Sequence, residues 1–304
     1  MRTARAAVWL AAALLAGCDG TPPPAEAPSV PLAPPAVPAP EAPAAPAPPP
    51  RLPAPGEDPD FPAKTPPGPR DWLARFKEPG QSPEEYRESC RNRKAAERGT
   101  VVLQPLGRIA KRHGDLLEKV RAYAALFFDA RAVVAEPLPL SPGDRVEARG
   151  QWDANGVLLD LGNRVPGDAV AVLSFCEEDL FADELNFVFG VAAPSRRAGV
   201  WSVARLAQGG DAGVLLRRVL QVATHECGHL LGMEHCVRWQ CLMNGSNSLD
   251  ESDRTPLHLC PECQEKLRWN TGLDPRRRWD GLAAFYEREG FAEDAALARR
   301  QAGR

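Results

Sequence analysis

The stretch of residues 225–243 reads HECGHLLGMEHCVRWQCLM, and it decides the fold. His225 and His229 are four residues apart, so on a helix their imidazoles lie on one face. Two imidazoles on one face can bind a single zinc ion, and Glu226, beside the first ligand, can reach a water on that ion. The stretch therefore predicts a metal-binding helix with a carboxylate next to the metal.

Gly232 and His235 extend this pattern. A helix that must stop and turn sharply commonly ends at a left-handed residue, which glycine adopts without a Cβ penalty. The turn would bring His235 back as the third ligand, and three protein ligands leave a fourth position open for water, as in catalytic zinc sites. The eleven-residue form is more specific than HExxH alone. The alternatives are surface histidines on an amphipathic helix and a metal site without activity.

The expected chemistry is zinc-dependent hydrolysis of peptide bonds. Zinc lowers the pKa of a bound water toward about 7 and polarises the substrate carbonyl. Glu226 would act as the general base for the zinc-activated water and then protonate the leaving amine.

Four cysteines follow the third histidine at short spacing: Cys236, Cys241, Cys260 and Cys263. Two close pairs separated by an insert predict a second, four-cysteine zinc site, so we expect two Zn²⁺ ions per chain. Disulfides are an alternative in an exported chain, and a CxxC redox pair is another. Cys90, Cys176 and Cys227 remain, and an odd number cannot pair completely within the chain.

Apolar periodicity predicts an α/β (α+β) domain with a mixed twisted sheet, in which strands precede the active-site helix. The strand signals are 101–103, 133–134, 170–175, 186–190 and 199–203, and the helix signals are 116–128, 211–231 with Asp211 as N-cap, and 282–299. Residues 199–203 are a candidate edge strand that could pair with an extended peptide, with an ordinary sheet edge as the alternative. Residues 276–280 are expected to form a charged, solvated loop.

The N-terminal region differs in composition from the rest of the chain. Residues 1–17 have the charge and apolar pattern of an export signal, and LAGC, which ends at Cys18, resembles a bacterial lipobox. Residues 21–70 contain 21 of the 32 prolines, so residues 18–70 are predicted to be a disordered Pro/Ala-rich stalk. The globular domain is then 71–304. We expect a lipid anchor at Cys18 and a location in the bacterial cell envelope, facing the periplasm or exterior, and Asp19 slightly favours the inner membrane.

The overall charge argues against nucleic acid as a partner. The formal net charge of −3 gives no basic excess for nucleic acid. We expect a monomer that acts on a peptide or protein and contacts the membrane only through its anchor.

The sequence from about Asp71 onward resembles the archaemetzincins, which are metzincin-like zinc peptidases. The similar segments are the stretch that opens this section, CPEC sixteen residues after it, DWLARFKEPGQ, VVLQPLG, LNFVFG, GVWSVARL and MNGSNSLDESDRTPLHLCPEC, several of them as in the animal-type members. The resemblance implies a metzincin-like zincin domain with a C-terminal part stabilised by a four-cysteine zinc site. It implies that the three histidines bind the catalytic zinc, that Glu226 is the base, and that Met243 is the Met-turn beneath the histidines. The animal-type members are intracellular, whereas this chain has a lipoprotein signal.

Two other functions fit part of this pattern. One is a catalytically silent, zinc-containing envelope lipoprotein that binds peptides without cutting them. The other is a structural envelope protein stabilised by zinc, and an intact Glu226 argues against it because a structural site has no use for that carboxylate.

Overall fold

A computed structural model describes residues 51–183 and 186–304 of the chain. The predicted signal peptide, Cys18 and the stalk as far as residue 50 lie outside these residues. The α-helices in the described part are α1 Trp72–Arg75, α2 Pro83–Ser89, α3 Ile109–Arg112, α4 Gly114–Phe127, α5 Ala154–Gly162, α6 Ala212–Leu230, α7 Leu249–Asp253, α8 Pro261–Thr271, α9 Pro275–Glu289 and α10 Ala292–Ala302. The strands are β1 Thr100–Pro105, β2 Arg131–Val134, β3 Arg145–Val146, β4 Gln151–Asp153, β5 Ala169–Cys176, β6 Leu180–Phe181, β7 Gly190–Ala193 and β8 Ala198–Ser202.

The main sheet has five strands in the order β2-β1-β5-β8-β7. Strands β2, β1, β5 and β8 are parallel, and β7 pairs antiparallel with β8. A smaller sheet has the order β3-β4-β6. The predicted mixed α/β architecture is confirmed.

Both faces of the main sheet are covered by helices, as parallel strands require. Val101 and Leu103 of β1 point to the face that packs with α4, α6 and the C-terminal helices. Val102 lies between them in sequence and points to the opposite face, which α5 covers. Every residue of β1 and of β5 is buried, so the sheet is a rigid support for the helix that follows it.

The domain begins earlier than the predicted boundary at residue 71. Phe61 is buried in the core, and residues 62–64 exchange backbone hydrogen bonds with residues 238–240, with Lys64 N to Arg238 O at 2.9 Å and Gln240 N to Pro62 O at 3.0 Å. The prediction that residues 51–70 belong to the disordered stalk rested on their proline content. These contacts hold that segment on the domain, because one buried aromatic ring and a short backbone pairing offset the lack of regular structure.

Three local predictions are wrong. Residues 186–190 form only a bridge at Val188, and the strand starts at Gly190. Residues 276–280 are not a solvated loop but part of α9, where Arg278 is buried and donates a hydrogen bond to the Phe127 carbonyl. The single helix predicted over 282–299 is two helices, because Gly290 adopts φ +81° and ends α9.

The predicted edge strand is internal. Strand β8, which contains residues 199–202, lies between β5 and β7, so β7 is the terminal strand of the sheet on that side. The sequence could not show this because β7 is only four residues long and has no strong strand signal.

Within residues 51–183 and 186–304, no helix is both long enough and apolar enough to cross a membrane.

Candidate functional site

Helix α6 carries two of the predicted histidine ligands and the predicted base. Asp211 caps its N-terminus by accepting a hydrogen bond from the Val214 backbone N–H at 2.9 Å, as predicted. Its apolar residues repeat at helical spacing and pack into the core under the sheet. The helix is therefore held along its length, and the side chains of its last two turns have fixed positions.

The chain reverses at Gly232, which adopts φ +88°. The Met233 backbone N–H donates to the Gly228 carbonyl at 2.9 Å, which ties the turn to the helix end. An L-residue with a side chain would be strained at this φ, so glycine is needed for the reversal. The turn places the His235 ring with its centroid 5.4 Å from that of His225 and 4.9 Å from that of His229.

All three imidazoles are held through the same ring nitrogen. Each Nδ1 lies within hydrogen-bond distance of an oxygen, so an Nδ1–H donor leaves each Nε2 with a free lone pair. The acceptors are the Leu242 carbonyl for His225 at 2.8 Å, the Met233 carbonyl for His229 at 2.7 Å, and both Glu78 carboxylate oxygens for His235 at 3.0 Å. Burial lowers the pKa of His225 and of His229 to about 4, so both rings are neutral at pH 7.

The donor set fits a zinc ion. The three histidines each offer a ring nitrogen within 4.8 Å of the others, and the Nε2 atoms of His225 and His229 are 3.0 Å apart. Two lone pairs at that distance repel unless a cation lies between them. A tetrahedral zinc with Zn–N bonds of 2.0–2.1 Å separates two ligand nitrogens by about 3.3 Å, close to this spacing.

Glu226 lies beside this group on α6 and is partly buried. Burial is the main cause that shifts its pKa, and it raises that pKa above the ordinary value of a glutamate. A carboxyl whose pKa moves up toward the working pH is a better proton acceptor.

The side chain of Trp201, on β8, lies near Glu226 and is fully buried. A Cβ at Gly190 or Gly199 would come within 1.9 or 2.1 Å of its ring, so the two glycines make room for the indole. Its Nε1 has no hydrogen-bond partner within 3.5 Å among the described residues. Sequence motifs for catalysis and metal binding do not include tryptophan, so no role was predicted for Trp201.

The loop after the third histidine places Met243 under the site. Met243 is completely buried, and its sulfur would lie 2.5 Å from a Cβ added at Gly228 of α6. Its carbonyl accepts a hydrogen bond from the Cys236 N–H at 2.7 Å. Met243 therefore packs against α6 between His225 and His229, and its role as a Met-turn stays a prediction.

The four predicted cysteines form a second cluster. Each Sγ lies within 4.8 Å of the other three, and Cys236 and Cys260 are 3.8 Å apart. A disulfide requires about 2.05 Å, whereas a tetrahedral zinc with Zn–S bonds of 2.3 Å separates its sulfurs by about 3.8 Å. The seven described cysteines are all free. The geometry therefore fits four thiolates around one zinc rather than two disulfides.

Comparison with known proteins gives concordant matches. Residues 155–269 match the model of peptidase family M54. The archaemetzincin of Methanopyrus kandleri is 43% identical over 124 residues, which cover 41% of this chain and 70% of that protein. Its crystal structure superposes with a TM-score of 0.52 at 33% identity and covers 59% of this chain and 98% of that chain. The chain belongs to the archaemetzincin family. Archaemetzincin-2 of Macaca fascicularis is 29% identical over 265 residues, 73% of each chain.

Membership of the archaemetzincins makes the chain a zinc metallopeptidase whose substrates are peptides or proteins. The matched residues 155–269 contain both clusters, Glu226 and Trp201. Glu78 lies outside them, in the segment DWLARFKEPGQ, for which sequence patterns indicated a resemblance to animal-type members but no functional residue. No local pattern links Glu78 to a histidine 157 residues later in the sequence.

Proposed function

We propose that this archaemetzincin cleaves peptide bonds at the three-histidine site, with Glu226 as the general base. The observation that carries this proposal is the convergence of three imidazoles beside one partly buried carboxylate. Zinc, when bound by His225, His229 and His235, lowers the pKa of a water toward about 7 and polarises a carbonyl oxygen.

Glu226 has two successive tasks in this proposal. Its carboxylate accepts a proton from the attacking water, and the resulting carboxylic acid delivers that proton to the leaving amine. The raised pKa suits both tasks because the group must change protonation state twice in each turnover. The fully buried Trp201 of β8 lies near the base on the side of the sheet.

Strand β7 is the proposed docking edge for the substrate. It is the terminal strand of the main sheet and is partly exposed, and it packs near α6. An extended peptide can add to such an edge through backbone hydrogen bonds, which favours recognition of unfolded segments over folded surfaces.

The test is the substitution Glu226→Gln in zinc-loaded protein, with an unstructured polypeptide as substrate. Loss of a general base typically lowers the rate by about 10²–10⁴-fold, and zinc content should stay the same because Glu226 is not a ligand. Glu234→Gln, at an exposed glutamate in the turn after α6, is the matched control and should retain activity. Near-normal cleavage by zinc-loaded Glu226→Gln would rule out this mechanism, and peptide binding without chelator-sensitive cleavage by the natural sequence would favour a silent binding protein.

The proposal includes two zinc ions per chain, the second bound by Cys236, Cys241, Cys260 and Cys263. The tetrahedral spacing of their sulfurs supports it. Burial raises the pKa of Cys241 and Cys260 well above the ordinary thiol value, so a cation is needed to make thiolates of the whole set. A four-thiolate site can contribute on the order of 10–16 kcal/mol of apparent binding energy in small domains, against about 2–4 kcal/mol for a disulfide.

The proposal also places this peptidase as a monomer on the bacterial cell envelope, facing the periplasm or exterior and anchored by a lipid on Cys18. Its support is the LAGC sequence and the Pro/Ala-rich segment after it. Asp19 favours the inner membrane.

A further inference from the structure

Residues 71–81 form a segment, here called the strap, that runs past the third histidine. The strap contains α1 and the loop that leads to α2. It lies outside the family-matched residues 155–269.

Both ends of the strap are fixed to the loops around the metal site. At the first end, the Trp72 backbone N–H donates to both carboxylate oxygens of Glu251 at 3.0 Å, and Arg254 binds Asp71 at 2.8 Å. At the second end, the Gln81 side chain donates to the Gly232 carbonyl at 3.3 Å.

Two further contacts fix the second end. The Gln81 side-chain oxygen accepts from the Glu234 backbone N–H at 3.3 Å, and the buried Lys266 ammonium donates to the Gln81 carbonyl. Gly80 adopts φ +75°, and a Cβ there would lie 2.7 Å from a methyl carbon of Val237. The strap therefore has little freedom to move away from the turn that carries His235.

Glu78 is the strap residue that touches a metal ligand. Both of its carboxylate oxygens are 3.0 Å from His235 Nδ1. The side chains of Glu78 and His235 are 27% and 17% exposed, so water competes only partly for this contact. Trp72 packs edge-on against the other side of the His235 ring, with a centroid distance of 5.1 Å.

His235 depends on this contact more than the other two ligands depend on theirs. His225 and His229 are fixed by the backbone of α6, and their Nδ1 partners are main-chain carbonyls, which no side-chain substitution removes. His235 lies beyond the helix end, and its Nδ1 partner is a side chain from a segment distant in sequence.

We propose that Glu78 is a positioning residue that holds His235 in the tautomer and ring orientation needed to complete the zinc site. The proposal rests on the proposed function because it assumes that the three histidines bind the metal. A carboxylate that accepts the Nδ1–H of a ligand imidazole fixes the ring and makes Nε2 a better donor, and loss of such a partner typically lowers metal affinity or activity by 10–100-fold. Glu78 touches neither water nor substrate in this role.

The experiment compares Glu78→Gln and Glu78→Ala with the natural sequence in the full chain. Gln keeps an oxygen acceptor but loses the charge, whereas Ala removes both. Affinity for Zn²⁺ alone is measured by competition with a chelator, without substrate. Absorption spectra of proteins that carry Zn²⁺ at the four cysteines and Co²⁺ at the three histidines then report the geometry of the three-histidine site.

Two control variants separate the carboxylate from the strap. Glu88→Gln removes an exposed carboxylate on α2 and should change nothing. Arg254→Gln loosens the first end of the strap without touching His235.

The expected result is a roughly 10–100-fold lower zinc affinity for Glu78→Ala, an intermediate loss for Glu78→Gln, and an altered cobalt spectrum for both. Unchanged zinc affinity in Glu78→Ala would overturn the proposal, and so would an equal loss in Arg254→Gln, which would assign the effect to the strap as a whole. Because affinity is measured without substrate, this outcome is independent of peptidase activity. A zinc-loaded natural protein that fails to cut peptides would overturn the proposed function instead.

Discussion

Substitution of Gly228 by alanine tests the packing of the active helix on the Met-turn. The added Cβ would lie 2.5 Å from the Met243 sulfur and 3.0 Å from its terminal methyl carbon. Non-bonded heavy atoms attract each other best at separations of about 3.5–4.0 Å. The Met243 side chain must therefore move away from the new Cβ by roughly 1 Å. Met243 is completely buried, so this movement disturbs a packed core.

The two opposing effects have known sizes. Overpacking typically costs about 1–3 kcal/mol, while replacing a helical glycine with alanine gains about 1 kcal/mol. We therefore expect a net loss of about 1 kcal/mol, which corresponds to a Tm lower by about 2–4 °C in a domain of this size. Weaker zinc retention should accompany it, because the Leu242 carbonyl that binds His225 directly precedes Met243.

Thermal unfolding of the zinc-loaded protein measures the first effect, and zinc loss to a chelator measures the second. Gly114→Ala is the control, since a Cβ at this first residue of α4 meets no atom within 4 Å and should not lower Tm. In a Met243→Ala background the Gly228→Ala change should become neutral or stabilising, because the clash is gone. A higher Tm for Gly228→Ala in the natural background would refute the packing argument and leave helix propensity as the dominant effect.

Three further predictions concern an ion pair at Asp60, the four-cysteine site and the lipid anchor. Asp60 accepts hydrogen bonds from Arg300, and these hold its pKa below the ordinary value against burial. Asp60→Asn should therefore lower the free energy of unfolding at pH 7 by about 1 kcal/mol, and the Tm with it. This difference should vanish as the pH falls through the lowered pKa of Asp60. Cys260→Ser should lower the zinc content, measured by metal analysis, from two ions per chain to one. It should also lower both Tm and activity. Cys18→Ala should move the protein from the detergent phase to the aqueous phase, and equal partitioning of the two forms would contradict the lipid anchor.

The sequence predicted best what depends on local spacing. His225, His229 and the reversal at Gly232 lie within eight residues, so helical geometry and the conformational freedom of glycine are enough to bring the ligands together. The four cysteines could be grouped by type and spacing for the same reason. Strands β1 and β5 were found because a strand buried on both faces is a continuous apolar run.

The sequence predicted least well what depends on tertiary contacts. Arg278 is charged, and its neighbours suggested a solvated loop, yet α9 turns it inward over the Phe127 ring at 4.3 Å. Strand β8 has the apolar pattern of its neighbours, so sequence alone could not decide whether it or β7 was the edge. Proline-rich residues 51–70 pack on the domain through partners at 238–240 and in α10, which are distant from them in sequence.

The two clusters share one short segment of chain, and this connects their stabilities. Cys236 follows His235 directly, and its backbone N–H donates to the Met243 carbonyl at 2.7 Å. Leu242, between Cys241 and Met243, accepts from His225 through its carbonyl at 2.8 Å. A metal at the four cysteines therefore fixes both ends of the loop that orients the first and third histidines. Removal of a metal from the four cysteines would free that loop, so the three-histidine site should lose zinc affinity although none of its own ligands has changed.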